Sequence, residues 1–322
     1  MSGREDVPGR PLHLHIGLPK TASTFLQGQI FPALDHLAVR TVPRTRLFRE
    51  RADAAAEFRT FACALRRSAT LWPSIGGPIL DELLGPGDDG RRGLLVSDEA
   101  IGRAASRPEG LAAHLAAFAA LARTRGFARP RIVAFLRRQD HWLASHYAQI
   151  SDRKRGAGEA GFRASVAATL DPMAQRHGFG TMLDYAALRA ALVDVAGEDG
   201  VLLLPYEALR AEPEPTLRRL LHWLGTPGTV AERLVTAKGR ANVRSDTTGG
   251  APRWQLRPPS IPLLRGRRLA LPAKIWPAHR ISLSTDLSRR ILGAYGDSNR
   301  DVAAATGLDL GRWGYFVEPD SI

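Results

Sequence analysis

The chain carries one cysteine, Cys63, in 322 residues. A single thiol closes no intramolecular disulfide and builds no cysteine metal cluster, so a reducing compartment fits and an apolar core must hold the fold. The nine histidines show no HxxxH or similar spacing, which argues against a zinc site; no metal is expected. Aromatic residues make up only 7% and do not interleave with basic residues in a base-stacking pattern. No nucleic-acid-binding motif is present, and no nucleic-acid partner is expected. Long apolar runs are also missing. The most apolar helical stretch, residues 110–122, is too short and too alanine-rich to span a bilayer. The opening MSGREDVPGRP has no apolar segment and carries acidic residues, so it does not read as a secretory signal. A cytoplasmic protein is expected, with peripheral membrane contact left open. No repeat recurs at a fixed period.

Acidic residues are in deficit: 32 Asp and Glu against 45 Lys and Arg, a formal charge of +13 and a pI near 10.9. An excess of that sign favours anionic partners such as nucleotides, sulfated or uronic-acid glycans, or an anionic membrane face. It does not choose among them. Hydrophobic residues at 44% and charged residues at 24% are ordinary for a globular domain of this length.

Short apolar runs alternate with helical segments. Residues 12–17 (LHLHIG), 94–97 (LLVS), 131–136 (RIVAFL) and 201–204 (VLLL) read as strands. Residues 46–84, 108–125, 141–150, 184–196 and 287–306 read as helices. Residues 216–225 are amphipathic, with Leu217, Leu220, Leu221 and Leu224 on one face and Gly225 as stop signal. Such alternation implies βαβ units and an α/β fold: three layers around a central parallel sheet of about five strands. Residues 251–277 are Pro-rich and basic and read as an irregular loop or lid.

The most informative element is GLPKTAST, residues 17–24, between the first strand and a helix. A strand-to-helix turn of this kind points backbone N–H groups at an anion above the helix N-terminus. Lys20 adds a point charge; Thr21, Ser23 and Thr24 add hydroxyls. The triphosphate loop GxxxxGK[ST] is a different pattern. Here Lys20 comes three residues after Gly17, no Gly precedes it, and the Mg²⁺-binding hydroxyl is not in its place.

HIGLPKTASTFLQ resembles the 5′-phosphosulfate loop of sulfotransferases that use 3′-phosphoadenosine 5′-phosphosulfate (PAPS), whose pattern runs roughly GxxKTGTTxLQ. Ala22 departs from the commoner Gly, and Ser23 from Thr. The family's second element holds the 3′-phosphate with an Arg at a strand end and a Ser eight residues later; FLRRQDHWLAS places Arg137 and Ser145 at that spacing. Arg138 is the alternative occupant. Residues 203–225, with Tyr206 and Glu207, resemble the family's strand followed by an apolar helix ending in LG, read here as architecture. Residues 238–245 (KGRANVRS) resemble a stretch near the nucleotide, where Lys238, Arg240 or Arg244 closes over the 3′-phosphate. Residues 295–315 resemble the C-terminal helix of bacterial members.

The resemblance implies a P-loop nucleotide-kinase-like topology and a single domain over residues 1–322, with 41–92 and 251–285 as acceptor-side or lid insertions. It implies PAPS as co-substrate, held by Gly17, Lys20, Thr21, Ala22, Ser23, Thr24, Arg137, Ser145, Arg240 and Arg244, and a hydroxyl acceptor. A carbohydrate or glycolipid, anionic in keeping with the charge, is the expected acceptor. Lys20 is expected to stabilise the leaving phosphate. Glu99, in LLVSDEAIG, is the expected general base, as in carbohydrate members; small-molecule members use His. Asp98 points the other way if the strand continues, and the pair otherwise caps the next helix. His15 lies two residues before Gly17, and a strand histidine is commonly a core residue; His146 either lines the acceptor pocket or sits at the surface. The competing reading is an ATP- and Mg²⁺-dependent phosphotransferase, since LLVSDE resembles a strand ending in a metal-positioning acidic pair.

Overall fold

The computed structural model describes residues 9–41, 61, 64–104, 108–154, 156–171, 180–238, 253–262, 268–270 and 279–316. The chain forms two compact units, Met1–Leu136 with Ala186–Val243, and Arg137–Tyr185 with Arg244–Ile322.

The first unit is built on a five-stranded sheet of β1 (Leu12–Ile16), β2 (Leu37–Thr41), β3 (Gly93–Asp98), β4 (Arg131–Leu136) and β5 (Val201–Pro205), in the order β2-β3-β1-β4-β5. Every pairing is parallel. β1 and β3 are buried along their whole length, as expected where helices cover both faces. Four strands coincide with the apolar runs in the sequence. β2 is the strand that the sequence pattern does not reveal. It lies at the sheet edge with only its first two residues buried, so its apolar stretch is too short to stand out. Arg40 on this edge donates to the carbonyls of Leu83 and Leu84 (2.8 Å to the latter). Those carbonyls end the helix Trp72–Leu84 and would otherwise lack partners.

Leu26, Ile30 and Phe31 pack with Leu95, Val133, Phe135, Leu202 and Leu204 of the sheet. Leu217, Leu220, Leu221 and Leu224 join the same cluster. Three of these lie on the helix Pro213–Trp223, and Leu224 follows it as its C-cap. The turn beyond uses Gly225 at φ 69° and returns the Thr226 N–H to the Leu221 carbonyl, as the amphipathic pattern predicts. Within residues 41–92, the described part is largely the helix Trp72–Leu84, whose Trp72 is buried against Phe61 and Phe118.

The second unit contains the helices Gln139–Ile150, Glu159–Leu170 and Thr285–Thr306. Trp142, Tyr147, Phe162, Leu256, Ile281, Ile291 and Tyr295 form its core. Ser284 caps the last helix by accepting the Leu287 N–H, and Gly307 at φ 67° ends it. Where the sequence predicts an irregular basic loop, short antiparallel ribbons occur: Arg253–Gln255 with Arg280–Ser282, and Ser260–Pro262 with Arg268–Ala270. Prolines restrict such strands to isolated pairs and mask their period in the sequence.

Candidate active site

β1 ends at Ile16, opposite Asp98 at the end of β3. Both strands therefore release their next residues at one edge of the sheet, where doubly wound folds bind ligands. The Gly17 N–H extends the pairing to the Asp98 carbonyl at 3.4 Å. A Cβ on Gly17 would stand 2.9 Å from Ser23 Oγ and 3.1 Å from Glu99 Cγ. A side chain at position 17 would therefore require the Ser23 and Glu99 side chains to shift. A Cβ on Gly102, in the helix Glu99–Ala104, would come within 3.3 Å of the Gly17 carbonyl.

Two non-glycine residues of the loop adopt left-handed backbone, Lys20 at φ 70° and Ala22 at φ 64°. Each costs on the order of 1–2 kcal/mol, and such strain clusters at functional sites. It turns the chain sharply enough for the Ala22 carbonyl to accept the N–H groups of both Phe25 (2.9 Å) and Leu26 (3.0 Å). A helical run starts at Ser23 and widens into a π-helical turn over Leu26–Ile30. Thr21 is wholly buried, and its hydroxyl donates to the Leu18 carbonyl at 2.6 Å. It braces the loop, so its ligand-facing donor could only be the backbone N–H. Ser23 Oγ is buried with no hydrogen-bond partner, a polar atom that a bound anion would satisfy. Thr24 is exposed, and Lys20 is half-buried.

Glu99 is 4% exposed and opens the helix after β3. Its side chain lies against the start of the loop, while Asp98 closes the strand. Behind the loop stands a buried polar chain that the sequence pattern leaves unremarked. Gln27 Nε2 donates to the carbonyl (3.2 Å) and hydroxyl (3.1 Å) of Ser97. The Ser97 hydroxyl also meets His15 Nδ1, 2.7 Å away. The signal was the LQ that closes the motif. His15 is fully buried with edge-on contacts to Phe31 and Phe135, a core histidine.

Burial pushes the His15 imidazole down to about 4. His13 falls to about 3, through burial first and then the nearby Arg131 and His36. Both folded-state values lie below the unfolded value of 6.5, so the unfolded chain binds protons that the folded chain refuses. Stability is full above pH 6.5 and falls as the pH drops toward 4. Between pH 7 and 5, above the range of ordinary carboxylates, each histidine should remove roughly 2 kcal/mol. Urea unfolding across that interval checks this, and a flat profile would mean the folded imidazoles accept protons.

In the second unit, Arg137 is the residue after β4, and it is 8% exposed. Its carbonyl and N–H both meet the hydroxyl of Tyr185. Ser145 is half-buried on the helix Gln139–Ile150, eight positions on. The guanidinium of Arg138 is held by both oxygens of buried Asp140, at 3.2 and 2.7 Å, and Asp140 also accepts from Ser288. Arg138 thus has a structural partner that competes with any ligand. His146 is not at the surface: it is 5% exposed and stacked on Trp142 with ring centroids 4.7 Å apart. Tyr206 begins the helix Tyr206–Ala211, and Lys238 ends the helix Gly228–Lys238. Arg240 and Arg244 lie outside the described residues. Among the described residues no group of three or more His, Cys, Asp or Glu is placed to hold a metal ion, and no helix is long and apolar enough to cross a membrane.

No family model matches the chain, and no curated protein matches it in sequence. Solved structures do match in fold. A sulfotransferase from Alicyclobacillus acidocaldarius aligns with a TM-score of 0.53 at 15% identity, over 94% of this chain and 98% of that one. The sulfotransferase domain of the Synechococcus PCC 7002 olefin synthase gives a TM-score of 0.39 at 12% identity, over 96% and 99%. That of the curacin biosynthetic pathway gives 0.36 at 12%, over 94% and 99%. The first of these likenesses is one of fold: a central parallel sheet flanked by helices, sulfotransferase-like in topology.

Proposed function

We propose that the protein transfers a sulfuryl group from PAPS to an acceptor hydroxyl and releases 3′,5′-ADP, on the sulfotransferase-like fold described above. The observation that carries this reading is the loop at residues 17–24. It is strained at Lys20 and Ala22 and packed closely around Gly17, and it presents a buried, unpartnered Ser23 hydroxyl. These features fit an anion of phosphate or sulfate geometry.

In this reading the backbone N–H groups of residues 17–24, that of Thr21 included, and the hydroxyls of Ser23 and Thr24 bind the 5′-phosphosulfate, and the Lys20 ammonium offsets the charge that develops on the leaving phosphate. Glu99, beside Gly17, takes the proton of the acceptor hydroxyl. Arg137 and Ser145 bind the 3′-phosphate, the guanidinium fork matching phosphate geometry. We choose Arg137 because it stands eight positions before Ser145, the spacing on which the resemblance rests. Arg240 and Arg244 complete the nucleotide-binding set, and residues 1–322 serve as a single sulfotransferase domain of a cytoplasmic protein. No metal is required, since PAPS supplies an activated leaving group. An anionic polysaccharide or glycolipid is the proposed acceptor. Arg253 and Arg280, both exposed, project from one face of the same ribbon, with Gln255 opposite Arg280, and the chain as a whole is strongly basic.

The test is thermal denaturation with 3′,5′-ADP, and with ATP in the presence and absence of Mg²⁺. A ligand that binds only the folded state raises its melting temperature by mass action. Stabilisation by 3′,5′-ADP without metal is the expected result. Stabilisation by ATP alone, and only with Mg²⁺, would replace sulfuryl transfer with ATP-dependent phosphotransfer.

A further inference from the structure

We infer that Tyr185 is a positioning residue for Arg137 and sets the preference for a nucleotide bearing a 3′-phosphate; this rests on the assignment of Arg137 to that phosphate. The phenol hydroxyl donates to the Arg137 carbonyl at 2.5 Å and accepts the Arg137 N–H at 3.2 Å. The last register pair of β4 with β5 is Leu136 with Pro205. Arg137 therefore stands just past the ladder, where its main-chain groups need other partners. One side chain 48 positions away supplies both.

Tyr185 is itself fixed. It is wholly buried, and its ring lies 6.3 Å from that of Tyr315, also wholly buried. The Tyr315 carbonyl accepts from Asn299 Nδ2 at 2.8 Å. Asn299 exchanges two amide hydrogen bonds with Gln139, at 2.8 and 3.1 Å, and Gln139 also donates to the Leu183 carbonyl at 3.0 Å. Both amides are fully buried. Residues 137, 138 and 139 are thus each pinned by a different partner: Tyr185, Asp140 and Asn299. For Arg137 the consequence is directional. A small rotation of its backbone swings the guanidinium, at the end of a long side chain, by more than a hydrogen bond tolerates. A network that only stabilised the fold would be indifferent to which nucleotide binds.

Tyr185→Phe keeps the ring and removes the hydroxyl. Calorimetric titration with 3′,5′-ADP and with 5′-AMP, which differ only in the 3′-phosphate, separates the roles. The native protein should prefer 3′,5′-ADP. The variant should lose about tenfold in affinity for it while 5′-AMP binding stays within about twofold. In an Arg137→Ala background, Tyr185→Phe should cause no further loss. Equal losses for both nucleotides, no loss for either, or an additive loss in that background would overturn the inference. A native protein that does not distinguish the two nucleotides would sink the Arg137 assignment itself, and the inference with it. If circular dichroism shows Tyr185→Phe unfolded, 3-fluorotyrosine placed at position 185 alone preserves the ring while strengthening the hydroxyl as donor and weakening it as acceptor. It should shift 3′,5′-ADP affinity by at least about twofold and leave 5′-AMP unmoved; no selective shift would count against Tyr185.

Discussion

Replacing Lys20 with alanine is expected to lower turnover by about 10³-fold while the protein stays folded. Lysine stands there at φ 70°, and alanine bears the same left-handed strain as lysine, so the substitution isolates the side chain from the loop. Glycine at position 20 would confound the two by relaxing the backbone. A charge that acts on the leaving phosphate matters most when negative charge builds there, so the loss should fall chiefly on the rate of transfer. Affinity for 3′,5′-ADP should weaken less, by about tenfold. The melting temperature of the unliganded protein should move by no more than about 2 °C, because the side chain is half-buried and outside the core clusters. Conversion of PAPS to 3′,5′-ADP, measured with an acceptor drawn from a panel of polysaccharides and glycolipids, is the readout. A variant that keeps more than about a tenth of native turnover would remove Lys20 from the reaction.

Much of the architecture was legible because its periods are local. β1, β3, β4 and β5 are short apolar runs bounded by turns, and the leucines of Pro213–Trp223 repeat at helical spacing. The turn at residues 17–24 was legible because an apolar strand ends at a glycine and a polar loop follows before the next apolar segment; that its lysine and three hydroxyls bind an anion is the proposal made above. What stayed hidden depends on partners distant in sequence. β2 is an edge strand completed by Arg40 reaching the end of a helix 43 and 44 residues on. The use of Thr21 for bracing is decided by the Leu18 carbonyl, which no residue pattern records. Ala22 reads as a mild departure from glycine until its φ of 64° shows what the departure costs. Tyr185 has no sequence mark at all; its meaning is the backbone of Arg137. The Gln27–Ser97–His15 chain falls between. Its glutamine belongs to the quoted motif, yet only the register of β1 with β3, pairing His15 with Ser97, gives it a place.

Glu99→Gln should slow transfer to the acceptor by about 10²–10⁴-fold and leave 3′,5′-ADP affinity within about twofold. The amide matches the carboxylate in shape, so the tight contact with Gly17 survives. What disappears is the ability to take a proton from the acceptor hydroxyl as it attacks sulfur. Two alternatives compete for that role, and the variant separates them. As a helix cap, Glu99 would affect stability rather than transfer, and the loss would appear in the melting temperature at about 1 kcal/mol or less. As a bystander to a histidine base, it would leave turnover intact. The structure weakens the second alternative for His15, which is fully buried, engaged with Ser97, and held neutral by its burial. A neutral imidazole is the correct form for a base, but one enclosed by Phe31 and Phe135 has no route to an acceptor without the core opening. Full activity in Glu99→Gln would therefore direct attention to His146, stacked on Trp142 one residue after Ser145. Loss of transfer with nucleotide binding and melting temperature both preserved is the pattern that a base at Glu99 requires.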